Sequence, residues 1–137
     1  MNTILPERLS RNFTIEEFCN TRKYPDNSPS MQQAICMAYG CLMILEPARL
    51  IVGPIIINSG FRNKRVNTLV GGVENSQHML GQAVDIRPKN PSLFPVLVDY
   101  LKNNPRVDQL LTGNGWLHVS WNPFFPPRNN IRLNYYK

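Results

Sequence analysis

Two ionisable side chains, Asp85 and His118, each interrupt a short apolar run that favours a β-strand. Asp85 lies in Gln82-Ala83-Val84-Asp85-Ile86, and His118 follows Trp116-Leu117 and precedes Val119. A carboxylate or an imidazole buried in an apolar strand is costly unless it has a partner. The two runs therefore predict two strands whose polar side chains share one partner.

The other histidine, His78, precedes Asp85 by seven positions, and Gly81 between them allows the chain to bend back. Two neutral imidazoles and one carboxylate are a common ligand set for zinc, which leaves the fourth position to a water. The metal acidifies such a water, so that it becomes a nucleophile at neutral pH. A single histidine is more often a packed or surface residue than a ligand, but this combination makes a candidate metal triad.

The spacing of these residues resembles a known signature. Ser76-x-His78, six further residues and Asp85 are followed by Trp116-x-His118. This pattern is similar to that of the zinc D-Ala-D-Ala carboxypeptidase family, the hedgehog-like peptidoglycan peptidases. Further segments resemble its phage and small bacterial members: residues 12–18, 45–49, 58–62, 66–67 and 71–72. The similarity therefore extends over nearly the whole chain.

The resemblance implies a fold, an activity and roles for single residues. The fold would be α+β, with a small antiparallel sheet that carries the metal site and helices packed behind the sheet. The activity would be zinc-dependent hydrolysis of peptidoglycan stem peptides, with D,D-, L,D- and endopeptidase cleavage all open. Zn2+ would be bound by His78, Asp85 and His118. Arg62 would hold the terminal carboxylate of the substrate, and Ser76 would hydrogen-bond its backbone.

One feature departs from the resembled family, whose enzymes carry a glutamate shortly before Trp-x-His as the general base. No acid lies between Asp108 and His118. Asp108, on the face opposite His118, and Glu74 are the weak candidates for a base that reaches the site from another direction. Loss of a base typically lowers the rate by a factor of roughly 10² to 10⁴. Three possibilities stay open: another base, slow hydrolysis supported by the metal alone, or a protein that binds wall peptides without cutting them.

The dipeptide Asn114-Gly115 predicts a tight hairpin that ends in the strand of His118. Either Gln109 or Leu111 could pair with His118, and in both registers Gln109, Leu111 and Gly113 share its face. The glutamate of the family would then fall near Gly113 or Gly115, where this chain has no side chain. Gln109 could orient a water or the substrate, but it cannot accept a proton.

Length and composition predict a single domain, residues 1–137, and the hydrophobic pattern predicts helices and strands interspersed along it. Thr14 and Glu17 form a capping box for a helix over 14–19, and Ser30 caps a main helix that runs to about residue 45. The residue before Pro47 is expected to break or kink that helix. The other predicted elements are strands over 54–58, 84–87, 107–111 and 116–121, a helix or turn over 63–70, and a helix over 92–103. The buried face of the main helix is expected to comprise Ile35, Ala38, Leu42 and Leu45.

Charge and composition limit the partners of this chain. The net charge of +6 favours polyanions such as teichoic acids, but the basic residues are scattered and not interleaved with aromatics, so we expect no dedicated nucleic-acid interface. Three cysteines without a close pair predict buried, reduced thiols. We find neither a signal peptide nor a membrane span, and we expect a monomer. A wall-cutting protein of this kind would be phage-encoded and released by lysis or carried in a virion.

Overall fold

The computed structural model describes residues 5–136, and its elements confirm the predicted α+β class. The strands are β1 (Arg8–Ser10), β2 (Phe13–Thr14), β3 (Ile55–Ser59), β4 (Ala83–Pro88), β5 (Gln109–Thr112), β6 (Leu117–Ser120) and β7 (Asn130–Arg132). The helices are α1 (Ile15–Cys19), α2 (Met31–Gly40), α3 (Glu46–Val52), α4 (Lys64–Leu69) and α5 (Phe94–Lys102). A π-helical turn, Cys41–Leu45, joins α2 to α3, and 3-10 turns span Gln77–Leu80 and Pro91–Leu93.

A five-stranded sheet in the order β3-β4-β6-β5-β7 forms the framework of the site, and β1 and β2 form a separate pair. The first four strands of the larger sheet are antiparallel, as predicted, whereas β7 runs parallel to β5. His118 lies opposite Asp85 on one side and Leu111 on the other. Of the two hairpin registers that the sequence allows, the structure therefore has the one that pairs Leu111.

The predicted starts of the first two helices are confirmed in atomic detail. The hydroxyl of Thr14 accepts a hydrogen bond from the backbone N–H of Glu17, and the carboxylate of Glu17 accepts one from the backbone of Thr14. Ser30 and Gln33 make the same reciprocal pair at the start of α2. Each pair satisfies N–H groups that have no partner within the helix, which fixes where the helix begins.

The predicted buried face of the main helix is wrong at two positions. Ile35 is 60% exposed and Leu42 is 55% exposed, whereas Leu45 is buried as expected. The buried stripe instead runs along the neighbouring side of the helix, at Ala34, Met37, Cys41, Ile44 and Ala48. Both sides of this helix are apolar, so a hydrophobic pattern with a period of 3.6 residues fits either side. The pattern alone therefore does not determine which side packs against the sheet.

The break predicted before Pro47 is also wrong. Glu46 keeps helical backbone angles, and the chain continues as α3 to Val52. The irregularity lies one turn earlier, in the π-helical turn, where the N–H of Glu46 bonds to the carbonyl of Cys41. Pro47 therefore falls in the first turn of α3, where its missing N–H costs no hydrogen bond within that helix.

The helical run from α2 through α3, Met31–Val52, is long and apolar enough to cross a bilayer by length and composition, a property that we did not predict from the sequence. Core helices of globular proteins have the same property. Here Met37, Ile44 and Ala48 pack into the core beneath the sheet. Length and composition alone therefore do not assign this segment to a membrane.

The core beneath the sheet is dominated by Trp121, which is fully buried and donates a hydrogen bond from its indole to the carbonyl of Cys36. Cys19, Cys36 and Cys41 are free and buried, as predicted. Burial raises the pKa of the Cys19 thiol to about 12, so this thiol stays neutral and unreactive at physiological pH.

We predict that Gly81→Ala will lower the free energy of unfolding more than Gly71→Ala. Both glycines have φ of +72°, which costs an L-residue about 1–2 kcal/mol. A Cβ at Gly81 would also lie 2.5 Å from the carbonyl oxygen of Gln33, whereas a Cβ at Gly71 would meet nothing within 4 Å. Urea unfolding of the metal-free proteins measures the difference, and equal losses would show that the contact with Gln33 is unimportant.

Candidate metal centre

Asp85 and His118 come from neighbouring strands, and their register brings the two side chains together. They are directly opposite each other in the β4–β6 pair, and side chains opposite each other in a sheet point to the same face. His78 reaches that face from the 3-10 turn Gln77–Leu80. This turn ends at Gly81 in the left-handed conformation, which returns the chain directly into β4.

One carboxylate oxygen of Asp85 lies between the two imidazoles. Oδ1 is 2.9 Å from Nδ1 of His118 and 3.3 Å from Nε2 of His78. One ligand atom from each of these three residues falls within 4.8 Å of the others, a spacing that could hold a metal ion. The structure therefore brings together all three residues that the sequence predicts as the metal triad.

The orientation of His78 is fixed from behind. Its Nδ1 lies 2.7 Å from the carbonyl oxygen of Gly60. A carbonyl can only accept, so Nδ1 carries the hydrogen and Nε2 presents its lone pair toward Asp85. The hydroxyl of Ser76 accepts a hydrogen bond from the backbone N–H of His78 and so caps the turn. Such outer contacts are typical of histidines that bind metals, because they set the tautomer and the ring direction.

The arrangement of lone pairs fits a cation at this place. Nε2 of His78 and Oδ1 of Asp85 are both acceptors, and at 3.3 Å they repel each other unless a proton or a metal ion lies between them. Burial favours the neutral form of Asp85, but the hydrogen bond from His118 and the contact with His78, when a proton lies on the nitrogen that faces Asp85, outweigh burial and hold the pKa of this carboxyl well below its usual range. Asp85 is therefore ionised, as a metal ligand must be.

Arg62 packs directly beside the triad. Its three nitrogens contact the hydroxyl of Ser59 at 3.0 Å, the side-chain oxygen of Asn67 at 3.3 Å and Oδ2 of Asp85 at 3.2 Å. The guanidinium side chain is 14% exposed. It is therefore held in one orientation at the edge of the site, with its charge next to the carboxylate.

The triad lies in an open pocket of about 570 Å³. The predicted substrate-binding residues Arg62, Ser76 and Gln109 all line this pocket. Their contacts with substrate remain predictions, and Ser76 has the additional structural role of a cap. The other described residues of the lining are Val70, Gly71, Gly72, Val73, Asn75, Gln77, Leu111, Trp116, Arg128, Tyr135 and Tyr136.

Neither candidate for a general base lines the pocket. Glu74 is exposed outside the lining. Asp108 is buried, and its carboxylate accepts hydrogen bonds from the guanidinium and backbone N–H of Arg128 and from the side chain of Gln77. Burial raises the pKa of Asp108, but the contacts with Arg128 and Gln77 outweigh burial and lower it. Among residues 5–136, Asp85 is the one acid that lines the pocket.

Several residues of the lining were not predicted from the sequence. Three of them, Arg128, Tyr135 and Tyr136, come from the segment that follows β6 and lie outside the histidine motifs. Their neighbourhood in the sequence carries no pattern that points to a site. The parallel pairing of β7 with β5, together with contacts of Arg128 to Asp108 and of Tyr136 to Thr112, holds this segment beside the pocket.

The fold and the site together define a small α+β protein with a His–Asp–His metal group on its sheet. The family model for peptidase M15 matches residues 11–120, and the chain belongs to this family. A curated relative, the zinc D-Ala-D-Ala carboxypeptidase of Streptomyces albus G, is 37% identical over 79 residues. That alignment covers 55% of this chain but 31% of the relative, so the chain spans less than a third of that protein. The family predicted from the sequence motifs is confirmed.

We predict that His118→Ala will abolish stoichiometric zinc binding, since it removes one of the three predicted ligands and leaves Asp85 without its closest imidazole. Calorimetric titration with zinc, together with metal analysis after dialysis, measures the loss. Wild-type protein is the positive control. Full zinc occupancy in the variant would remove His118 from the ligand set.

We also predict that Asp108→Asn will lower the free energy of unfolding by about 1–3 kcal/mol at pH 7, because it weakens the buried contacts with Arg128. The native pKa of Asp108 is lowered, so its contribution is present above the unfolded pKa of about 4 and is lost as the pH falls through the native value. The difference from wild type should therefore shrink below about pH 4. Exposed Asp99→Asn is the control, and a difference that does not vary with pH would contradict the assignment.

Proposed function

We propose that this chain is a zinc-dependent peptidoglycan peptidase that cleaves stem peptides near their C-terminus. The observation that carries the proposal is the triad of His78, Asp85 and His118 at an open pocket, with the guanidinium of Arg62 beside it. Membership of the M15 family and the similarity to a protein named as a zinc D-Ala-D-Ala carboxypeptidase support both the metal and the substrate class.

The three ligands would hold the ion in a site that keeps a position open to the pocket. When bound, zinc acidifies a water and polarises the scissile carbonyl. The protein side chains provide the remaining functions. The contact of His78 with Gly60 keeps its Nε2 directed into the site. The pairing of β4 with β6 holds the side chains of Asp85 and His118 2.9 Å apart. The ligands are therefore oriented before substrate binds, which limits reorganisation during the reaction.

Arg62 is suited to bind the terminal carboxylate of the peptide. A guanidinium has five N–H donors, and three of them serve Ser59, Asn67 and Asp85, so two remain. Because these contacts fix the plane of the group, the remaining donors have a set direction. A carboxylate bound there would place the last peptide bond of the stem near the triad, since the guanidinium is itself in contact with Asp85.

A second function is favoured by one specific observation. Among the described residues, Asp85 is the one acid in the pocket lining, and it is engaged by both imidazoles. A site without a separate carboxylate to accept the proton of the water fits a protein that binds wall peptides without turnover, such as a wall-docking or virion component.

The experiment that separates the two functions is digestion of purified peptidoglycan and defined stem peptides by the zinc-loaded protein, read by mass spectrometry. We expect loss of a terminal D-alanine or of a cross-link, and no product with His118→Ala. The mass of the product also tells whether the cleavage is of the D,D, L,D or endopeptidase type. Peptide binding without any product would favour the binding function, and neither binding nor product would reject both.

We predict that Arg62→Ala will raise KM by about 10-fold or more for a peptide with a free C-terminal carboxylate, and far less for the amidated peptide, because a charged hydrogen bond contributes roughly 1.5–3 kcal/mol. Arg65→Ala is the matched control, since Arg65 is exposed and pairs with Asp26 away from the pocket lining. Zinc content must be measured in both variants, because Arg62 contacts a predicted ligand. Equal effects on the two peptides would remove Arg62 from this role.

A further inference from the structure

The C-terminal segment is tied to the end of β5 at a single residue. Past β7, the backbone N–H of Asn134 donates to the hydroxyl of Thr112 at 2.7 Å, and the backbone N–H of Tyr136 donates to the carbonyl of Thr112 at 3.2 Å. Thr112 is buried and is the last residue of β5. The tie therefore sets Tyr136 next to the hairpin that carries His118. The match to the peptidase M15 family model ends at residue 120, so this segment lies outside it.

The ring of Tyr136 is held by aromatic contacts on both sides. It stacks on Trp116 with ring centroids 4.5 Å apart and an angle of 27° between the planes. Tyr135 packs edge-on against it at 5.1 Å. All three aromatic residues line the pocket of the triad. Stacking of this kind stabilises an aromatic pair beyond simple burial, so the ring has a preferred place at the pocket wall.

The aromatic pair occupies the space next to Gly113. A Cβ at Gly113 would lie 2.7 Å from Nε1 of Trp116 and 3.2 Å from Cβ of Tyr136. Position 113 is one of the two places where the family resemblance puts the glutamate. The stacked rings of Trp116 and Tyr136 therefore require a residue without a side chain at position 113, since any side chain there would displace one of them.

The hydroxyl of Tyr136 is available to a ligand. It makes no hydrogen bond with the part of the chain that the structure describes, and it is not among the buried polar atoms left without a partner. Burial, the charge of Asp85 and the neighbouring Tyr135 raise the pKa of Tyr136, and Arg62 acts in the opposite direction. The phenol therefore keeps its proton at neutral pH and can act as a donor, in electrostatic range of the triad.

We propose that Tyr136 contacts the bound peptide: its hydroxyl donates a hydrogen bond to a carbonyl oxygen of the peptide, and its ring forms with Trp116 the wall of the pocket beside Gly113. This inference rests on the proposed function, because it takes the ligand to be a wall peptide. It assigns to this chain a substrate contact supplied by the segment after β6. A donor is what a peptide carbonyl in this pocket would need, whereas the carboxylate of Asp85 could only repel it.

The test is calorimetric binding to the zinc-loaded full-length protein of two probes, diacetyl-L-Lys-D-Ala-D-Ala and its non-hydrolysable phosphinate analogue. Tyr136→Phe keeps the ring and removes the hydroxyl, so we expect binding to weaken by about 3- to 10-fold, the range of one neutral hydrogen bond. The thermal midpoint should change little, which a purely structural role of the hydroxyl would not predict. Tyr100→Phe, on α5 and outside the pocket lining, should bind both probes within about twofold of wild type.

Gly113→Ala gives an independent test of the wall. Its Cβ should displace Trp116 or Tyr136 and weaken binding of both probes, with zinc affinity unchanged. Wild-type affinity for both probes in Tyr136→Phe would overturn the inference while leaving the proposed function intact. If wild-type protein itself binds neither probe, the proposed function fails and the inference fails with it. The two failures are therefore distinguishable.

Discussion

The contact between Asp85 and His118 across β4 and β6 is the constraint on which the rest of the site depends. Their carboxylate and imidazole are opposite each other in register, 2.9 Å apart, and mostly buried. A slip of one residue in either strand would turn one of the two to the other face of the sheet. The same carboxylate also contacts His78 and Arg62, so the 3-10 turn and the edge of the pocket are positioned relative to this one strand pair.

The parts of the fold and site that the sequence predicts are those encoded by local patterns. The capping box of Thr14 and Glu17, the hairpin at Asn114-Gly115 and the triad spacing are short-range signals, and all of them correspond to the structure. The buried face of the main helix was not predicted correctly, since Ile35 and Leu42 are exposed. In a helix that is apolar on two sides, the hydrophobic pattern does not determine which side packs against the core. Arg128 and Tyr136 could not be predicted, since they reach the pocket through long-range contacts, the parallel pairing of β7 among them, that no local pattern encodes.

The space beside Gly113 is filled by aromatic rings, and this affects whether a general base could lie there. A protein that had a carboxylate at this position would need room where Trp116 and Tyr136 now stack. In this chain the same side of the site is aromatic and offers a neutral donor instead of a base. Under the proposed function, the pocket therefore combines a site suited to a metal with a wall suited to holding a peptide, and cleavage requires a proton acceptor other than a second carboxylate of the lining.

The site is assembled from four separate stretches of the chain: Gly60, the run from His78 to Asp85, His118 and Tyr136. The predicted ligands converge only when β4 pairs with β6, and the carbonyl of Gly60 that orients His78 follows β3, the other neighbour of β4. Contacts of such long range require the loops between them to close first. During synthesis, a chain that has not yet emerged past β6 would have only part of a metal site. Such a chain would lack His118 and would therefore hold the ion poorly.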